Sequence, residues 1–297
     1  EGNDPQITHW LATHPKITAI GFTGSGGVGK LLMELAAKRE VPIPVFAEMG
    51  AINPVFVTSA AISERGEALA KGSVDSALLG SGQFCTKPGL FILPKSSADS
   101  FLAEVEKYLS TLSVGPLLNK GIADRYSSAI AALSKNGSVK VFAGNTADSG
   151  IAVTPTFFVA DWKVVSSTPE LLEEHFGPTT VLAIADESDY VAIASSLEGQ
   201  LTATIQGADS DAVKPLLAVL SERAGRVIWN AFPTGVSVTA AMQHGGQWPS
   251  SSSHTTSVGT DAIYRFMRPV AYQGLSEANL PEALKDSNPW GVPQAIN

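Results

Sequence analysis

A single cysteine, Cys85, occurs in the chain, in the run Gly82-Gln83-Phe84-Cys85-Thr86. With no second thiol to pair with, it forms no internal disulfide and is open to nucleophilic chemistry. Thirty-seven residues earlier, Glu48 stands in the otherwise apolar stretch Val45-Phe46-Ala47-Glu48-Met49-Gly50. A thiol needs a base to become a thiolate, and an acyl-enzyme needs a base to activate water. Cys85 and Glu48 would supply those functions if the fold brings them together.

A second chemical signal is the run Gly24-Ser25-Gly26-Gly27-Val28-Gly29, which satisfies G-x-G-x-x-G between a strand pattern and a helix pattern. Through Gly24, Gly29 and Lys30 it also approaches the phosphate-loop pattern, but Leu31 stands where a hydroxyl would hold magnesium. That argues against a phosphate-loop hydrolase. Two readings remain open on the residues alone. The loop either seats a pyrophosphate on unpaired N–H groups at a helix N-terminus, or only lets a helix and a strand pack closely. In the first reading Glu48, 24 residues after Gly24, is also a candidate for the ribose-binding acid.

The elements that must position these groups alternate along the chain. Residues 17–22 read as a strand, 28–39 as an amphipathic helix with Ser25 as N-cap, and 45–47 as a second strand. This βαβ unit implies a parallel sheet. A strand at 53–57 and a small-residue helix at 62–79 follow, then a glycine turn at 80–82 that delivers Cys85. Further strands are expected at 90–93, 139–143, 156–159, 180–184, 202–205 and 226–230, and helices at 100–112, 190–197 and 212–220. Residues 264–273 carry alternating strand character, and the serine run from Ser250 reads as a surface loop.

The 297 residues, 44% hydrophobic and 16% charged, describe a packed globular protein. A net charge of −8 argues against a nucleic-acid partner. No stretch reaches the roughly 18–20 apolar residues of a membrane span. One cysteine and no visible secretory signal fit a cytoplasmic protein, and a start at Glu1 rather than Met reads as a processed or truncated piece. His175 and His244 lack metal-ligand spacing and read as structural, so no metal is expected.

Four segments together resemble the aldehyde dehydrogenase superfamily. They are Phe22-Thr23-Gly24-Ser25, Glu48-Met49-Gly50-Ala51-Ile52-Asn53-Pro54, Gly82-Gln83-Phe84-Cys85-Thr86 and Glu173-Glu174-His175-Phe176-Gly177-Pro178. The runs Phe232-Pro233-Thr234-Gly235-Val236 and His244-Gly245-Gly246 are similar to 2-oxoglutarate semialdehyde dehydrogenases and their fatty-aldehyde-oxidising relatives. The resemblance spans essentially the whole chain but only the C-terminal part of the family's usual length.

It implies an α/β fold: the end of a Rossmann-type NAD(P)-binding domain at 1–50, a catalytic domain at 51–245, and a segment at 246–297 that returns to the cofactor region and carries an oligomerisation strand. It implies Cys85 as nucleophile, with its N–H as half of an oxyanion hole, and Glu48 as the base of deacylation rather than a ribose ligand. Burial would raise the Glu48 pKa. Gly24, Ser25 and Met49 would lie on the cofactor, Glu174 on its nicotinamide-side ribose and Phe176 near that ring. The expected reaction is NAD- or NADP-dependent oxidation of an aldehyde, 2-oxoglutarate semialdehyde first and a fatty or other aldehyde second, in a homodimer or homotetramer. The family's preceding half supplies a further oxyanion donor and the adenine-side pocket. The polypeptide alone is therefore expected to be nearly inactive, and a non-catalytic assembly role is the rival reading.

Overall fold

The computed structural model describes residues 5–148 and 150–295. The elements run α1 (Pro5–Thr13), β1 (Ile20–Thr23), α2 (Gly26–Ala37), β2 (Val45–Glu48), β3 (Pro54–Val57), α3 (Ser59–Leu78), β4 (Leu90–Pro94), α4 (Ala98–Leu109) and α5 (Lys120–Leu133). They continue with β5 (Lys140–Ala143), β6 (Thr156–Asp161), α6 (Trp162–Ser166), β7 (Thr179–Ala185), α7 (Tyr190–Ser196), β8 (Gln200–Gln206), α8 (Lys214–Arg223) and β9 (Ala224–Trp229). One compact unit extends to Ala262, and a second, built of short helical turns and irregular chain, begins at Ile263. No helix among the described residues is long and apolar enough to cross a membrane.

β1 and β2 form a parallel pair in which Thr23 lies opposite Glu48. The remaining strands build a seven-stranded sheet in the order β5-β6-β7-β4-β3-β8-β9, parallel throughout except for the antiparallel β5–β6 edge. Parallel sheets need both faces covered, and the central strands β3, β4, β7 and β8 are buried on both sides accordingly, with β8 presenting Gln and Thr on one of them. In β4, Leu90 and Ile92 face a core shared with α7 and α8, whereas Phe91 and Leu93 face a core shared with α3 and α4. This two-sided burial fixes the register, since a one-residue slip would exchange the two faces.

Most expected elements occur where the periodicity places them. Three helices are additions: α1, the five-residue α6, and α5, which buries only Ala123, Tyr126 and Leu133 and so carries a weak apolar stripe. α5 starts where the Asn119 side chain accepts from the Ile122 N–H at 2.9 Å. Ser25 occupies the N-cap position of α2, but its side chain makes no capping bond. The strand expected at 264–273 is not formed in the chain: Thr260–Phe266 is a 3-10 helix and the rest is irregular. Alternation alone does not make a strand. It also needs a neighbouring backbone to pair with, and none among the described residues pairs there.

One side chain ties three parts of the catalytic sheet together. Asn53, fully buried, sits just before β3 with φ 49°, a left-handed conformation that asparagine tolerates better than most residues. Its Nδ2 donates to the carbonyls of Cys85 (2.9 Å) and Lys87 (3.0 Å), and its Oδ1 accepts from Thr202 N–H (3.2 Å) in β8. Removing the side chain strands buried backbone groups at about 1–3 kcal/mol each. We expect Asn53→Ala to cost about 3 kcal/mol and lower Tm by roughly 6–12 °C. Asn53→Gly, which keeps the left-handed freedom, should lose a similar amount. Thermal denaturation followed by circular dichroism checks this, and an unchanged Tm in either variant contradicts it.

Candidate active site

Cys85 is presented by a tight reversal at the end of α3. Gly80, Ser81 and Gly82 all take positive φ, at 59°, 57° and 68°, so the chain turns back over three residues. Gly82 is demanded twice, by its φ and because a Cβ there would lie 2.1 Å from the Gly177 carbonyl oxygen. The Gly177 N–H donates to the Gly82 carbonyl at 3.2 Å, which seats the cysteine turn directly on the Glu173–Pro178 segment. Cys85 is half-buried, and its backbone N–H has no hydrogen-bond partner among the described residues, leaving it available as an oxyanion donor.

Glu48 ends β2 and is buried. The structure brings it to Cys85 through His244, a residue to which sequence reasoning gave no chemistry. His244 Nε2 lies 3.6 Å from Cys85 Sγ and 3.3 Å from Glu48 Oε1. The other Glu48 oxygen accepts from Ser257 Oγ, and the Ser257 N–H donates to the His244 carbonyl at 2.7 Å. This loop reaches the site because the serine run docks along β2: Ser252 Oγ donates to the Val45 carbonyl at 2.7 Å, and the Met49 N–H donates to the Ser250 carbonyl at 2.8 Å. The serines therefore form a buried seam, with Ser250 and Ser251 inaccessible to solvent, rather than a surface loop.

The charge states follow from this packing. Burial, the largest influence on Glu48, pushes its pKa up, but hydrogen bonds from His244 and Ser257, attraction to His244 and the Cys85 contact together outweigh it. The carboxyl is held below its ordinary value, contrary to the rise expected from burial alone. For His244 burial again opposes charge, but contacts with Cys85 and Glu48 raise its pKa to about 9. Its Nδ1 is buried without a hydrogen-bond partner among the described residues, so within them the ring is held from the Nε2 side.

Above the thiol opens a cavity of about 720 Å³. Gly24 and Ser25 line one wall, Glu48, Met49 and Gly50 the next, Phe84 and Cys85 the floor, α5 another side, and Glu174, His175 and Phe176 the last. All the residues assigned to cofactor binding from sequence thus meet in one space. Met49 is the exception in detail: its buried side chain packs under α2, where a Cβ on Gly29 would meet its sulfur at 2.5 Å. Gly26 and Gly27, in the first turn of α2, have open space beside them, as a helix end receiving a phosphate requires. Lys30 does not point there as a phosphate-loop lysine would, because its ammonium lies over the Trp248 ring at 5.5 Å from the centroid. Gly50 is needed for close approach, since a Cβ there would lie 2.3 Å from Glu174 Oε2. These donors fit the pyrophosphate-to-nicotinamide part of a dinucleotide. From α5, Arg125 adds a cation that the sequence reading missed.

Behind this wall lies a second missed residue, Lys87. It is buried, yet its Nζ donates to the carbonyls of His175 (2.9 Å) and Thr179 (2.7 Å), clamping the turn that carries Phe176. Burial lowers its pKa to about 8 against the pull of Glu174, and burial likewise raises Glu174 against the pull of Lys87. Below about pH 8 Lys87 is charged folded and unfolded; from there to the ordinary value of 10.5 only the unfolded chain keeps the proton. Wild type should therefore gain stability relative to Lys87→Met as pH rises through that window. Paired denaturant titrations at pH 7.5 and pH 10 read the difference, and a constant gap rejects the buried charge.

The aldehyde dehydrogenase family model matches residues 1–270. An alpha-ketoglutaric semialdehyde dehydrogenase from Acinetobacter baylyi is 45% identical over 294 residues, covering 97% of this chain and 56% of the relative. A second such enzyme, from Azospirillum brasilense, is 41% identical over 290 residues, 96% of this chain and 55% of the relative. The chain thus spans about half the length of the curated relatives it matches. In fold it is similar to proline utilization A from Bdellovibrio bacteriovorus, at a TM-score of 0.78 and 25% identity over 91% of this chain and 29% of that one. It is likewise similar in fold to the aldehyde dehydrogenase KauB from Pseudomonas aeruginosa, at a TM-score of 0.76 and 24% identity over 88% of this chain and 53% of that one. By sequence match, fold and the placement of its thiol and carboxylate, this chain belongs to the aldehyde dehydrogenase family.

Proposed function

We propose that the protein carrying this chain oxidises an aldehyde to a carboxylic acid with NAD or NADP, with 2-oxoglutarate semialdehyde as substrate. One observation carries the reading: His244 Nε2 lies within reach of both Cys85 Sγ and Glu48 Oε1, and that thiol and carboxylate line a cavity which Gly24 and Ser25, just before α2, also line. The substrate rests on the two semialdehyde dehydrogenases, each matched over nearly all of this chain.

The residues divide the work as follows. Cys85 passes its proton to His244 Nε2, and Glu48 holds the resulting imidazolium. The thiolate adds to the aldehyde carbon, and the oxyanion takes a hydrogen bond from the Cys85 N–H. The nicotinamide, when bound, supplies the hydride acceptor that turns the thiohemiacetal into a thioester. The thiol's proton stays on His244 at that stage, Glu48 takes a proton from water as it attacks, and the His244 proton returns to the departing sulfur. Acid is released and the thiol restored. Glu174 and Phe176 are the groups placed to hold the ribose and ring of the cofactor, with Gly24 and Ser25 beside its pyrophosphate.

A lone thiol that must stay reduced suits a cytoplasmic setting. A homodimer or homotetramer is the assembly we infer, since β9 lies at an edge of the seven-stranded sheet and its outer side meets, among the described residues, only the single bridge from Ala224 to Gly246.

Aldehyde-dependent NAD(P)H formation by the full-length protein tests the reading. Cys85→Ala should abolish it. Glu48→Gln should keep the first-turnover burst while the steady rate falls about 10²–10⁴-fold, whereas His244→Gln should slow the burst itself. Full activity in Cys85→Ala would overturn the nucleophile, and equal loss of burst and turnover in Glu48→Gln would overturn its assignment to deacylation.

A further inference from the structure

The three groups at the thiol differ in donor type: a sulfur, an imidazole nitrogen and a carboxylate oxygen, all within 4.8 Å of one another. We propose that Cys85, His244 and Glu48 form an inhibitory site for a borderline-soft divalent cation of the zinc type, which binds reversibly and closes the thiol. Geometry carries the proposal. A tetrahedral zinc has Zn–S near 2.3 Å and Zn–N and Zn–O near 2.0–2.1 Å, so its ligand edges are about 3.6 Å for S···N and about 3.3 Å for N···O. The observed edges are 3.6 Å from Cys85 to His244 and 3.3 Å from His244 to Glu48. The third edge, from Cys85 to Glu48, is no longer than 4.8 Å, so an ion enters once the carboxylate and the thiol close to about 3.6 Å.

The surroundings support the same reading. Ser257 holds Glu48 Oε2, which leaves Oε1 turned to His244 and orients the carboxylate from behind, as outer-shell partners of metal ligands do. The cavity supplies space for a fourth ligand, a water or a substrate oxygen. Cys85 binds as thiolate, its proton passing to solvent, and His244 through the Nε2 lone pair with its ring proton on Nδ1. That Nδ1 lacks an acceptor among the described residues, whereas ligating histidines almost always have one. The site is thus suited to an inhibitor that comes and goes, not to a resident metal. Magnesium and calcium, which take oxygen ligands, are excluded by the sulfur and nitrogen donors.

The inference does not depend on the aldehyde reading, because ligation can be read without turnover. The full-length protein, freed of metal and kept under anaerobic conditions, is titrated with cobalt(II) as a spectroscopic stand-in for zinc. We expect saturation at one equivalent, with a sulfur-to-cobalt charge-transfer band and the visible absorption of a tetrahedral ion, both removed by zinc. Cys85→Ser should lose the charge-transfer band, and His244→Gln and Glu48→Gln should each weaken cobalt binding roughly tenfold or more. Zinc, but not magnesium, should block alkylation of Cys85 by iodoacetamide, and a chelator should restore it. Absence of the band at one equivalent would overturn the proposal. So would wild-type cobalt affinity in either His244→Gln or Glu48→Gln, which would reduce the site to a thiol alone.

Discussion

The cysteine turn is anchored to the sheet by the side-chain amide of Asn53. Asn53 accepts a left-handed backbone at the entry to β3 and spends both ends of its side chain on other segments, the Cys85–Lys87 loop on one side and β8 on the other. Its backbone N–H in turn donates to Gln200 Oε1 at 3.0 Å, at the start of β8. β3 and β8 are neighbours in the sheet, and β4, which follows the cysteine loop, flanks β3 on the other side. The thiol is thereby referenced to the sheet rather than to the mobile part of a loop. A nucleophile misplaced by 1 Å loses much of the benefit of orientation, so a buried, fully used amide beneath it has a direct chemical consequence.

From that anchor the two walls of the cavity are built by different means. The glutamate wall comes from β2, whose parallel pairing with β1 sets Thr23 opposite Glu48 and so places the glycine turn beside the carboxylate. The opposite wall comes from the Glu173–Pro178 segment, which is tied to the cysteine turn by the Gly177–Gly82 backbone bond and by the Lys87 clamp two residues beyond Cys85. Nucleophile and cofactor wall therefore share one rigid piece. Glu174 and Cys85 keep their separation because both hang from it.

The short motifs were legible because each packs its requirement into a few adjacent residues. A glycine turn before a helix, a carboxylate at a strand end and a thiol after Gly80–Gly82 are local patterns, and the structure sets Gly24, Glu48, Cys85, Glu174 and Phe176 around one cavity. His244 carries no such local pattern. It is 159 residues from Cys85, and its role arises only when the serine seam docks on β2. Lys87 was hidden for the opposite reason: it lies inside a quoted neighbourhood, but lysines are rarely buried, and nothing in the local sequence indicates two carbonyls waiting for it. The Glu48 pKa went wrong from the same cause, since burial was inferable from the apolar stretch and the compensating partners were not. At 264–273 the alternation was legible but its pairing partner was not, and a strand is a property of two backbones.

The distribution of charge shows why these long-range partners are needed. A carboxylate and an imidazole crowded beside a thiol would each resist ionising alone, because burial opposes charge in both. Here the imidazole lies between carboxylate and thiol, so its proton offsets the charge of the Glu48 carboxylate while standing within reach of the sulfur. On the opposite side, buried Lys87 and partly buried Glu174 pull on each other, each favouring the other's charged form against burial. Each cluster is compensated internally. On the function proposed above, the cavity that Glu48 and Glu174 both line would then receive an anionic pyrophosphate at the helix end and a carbonyl carbon at the thiol.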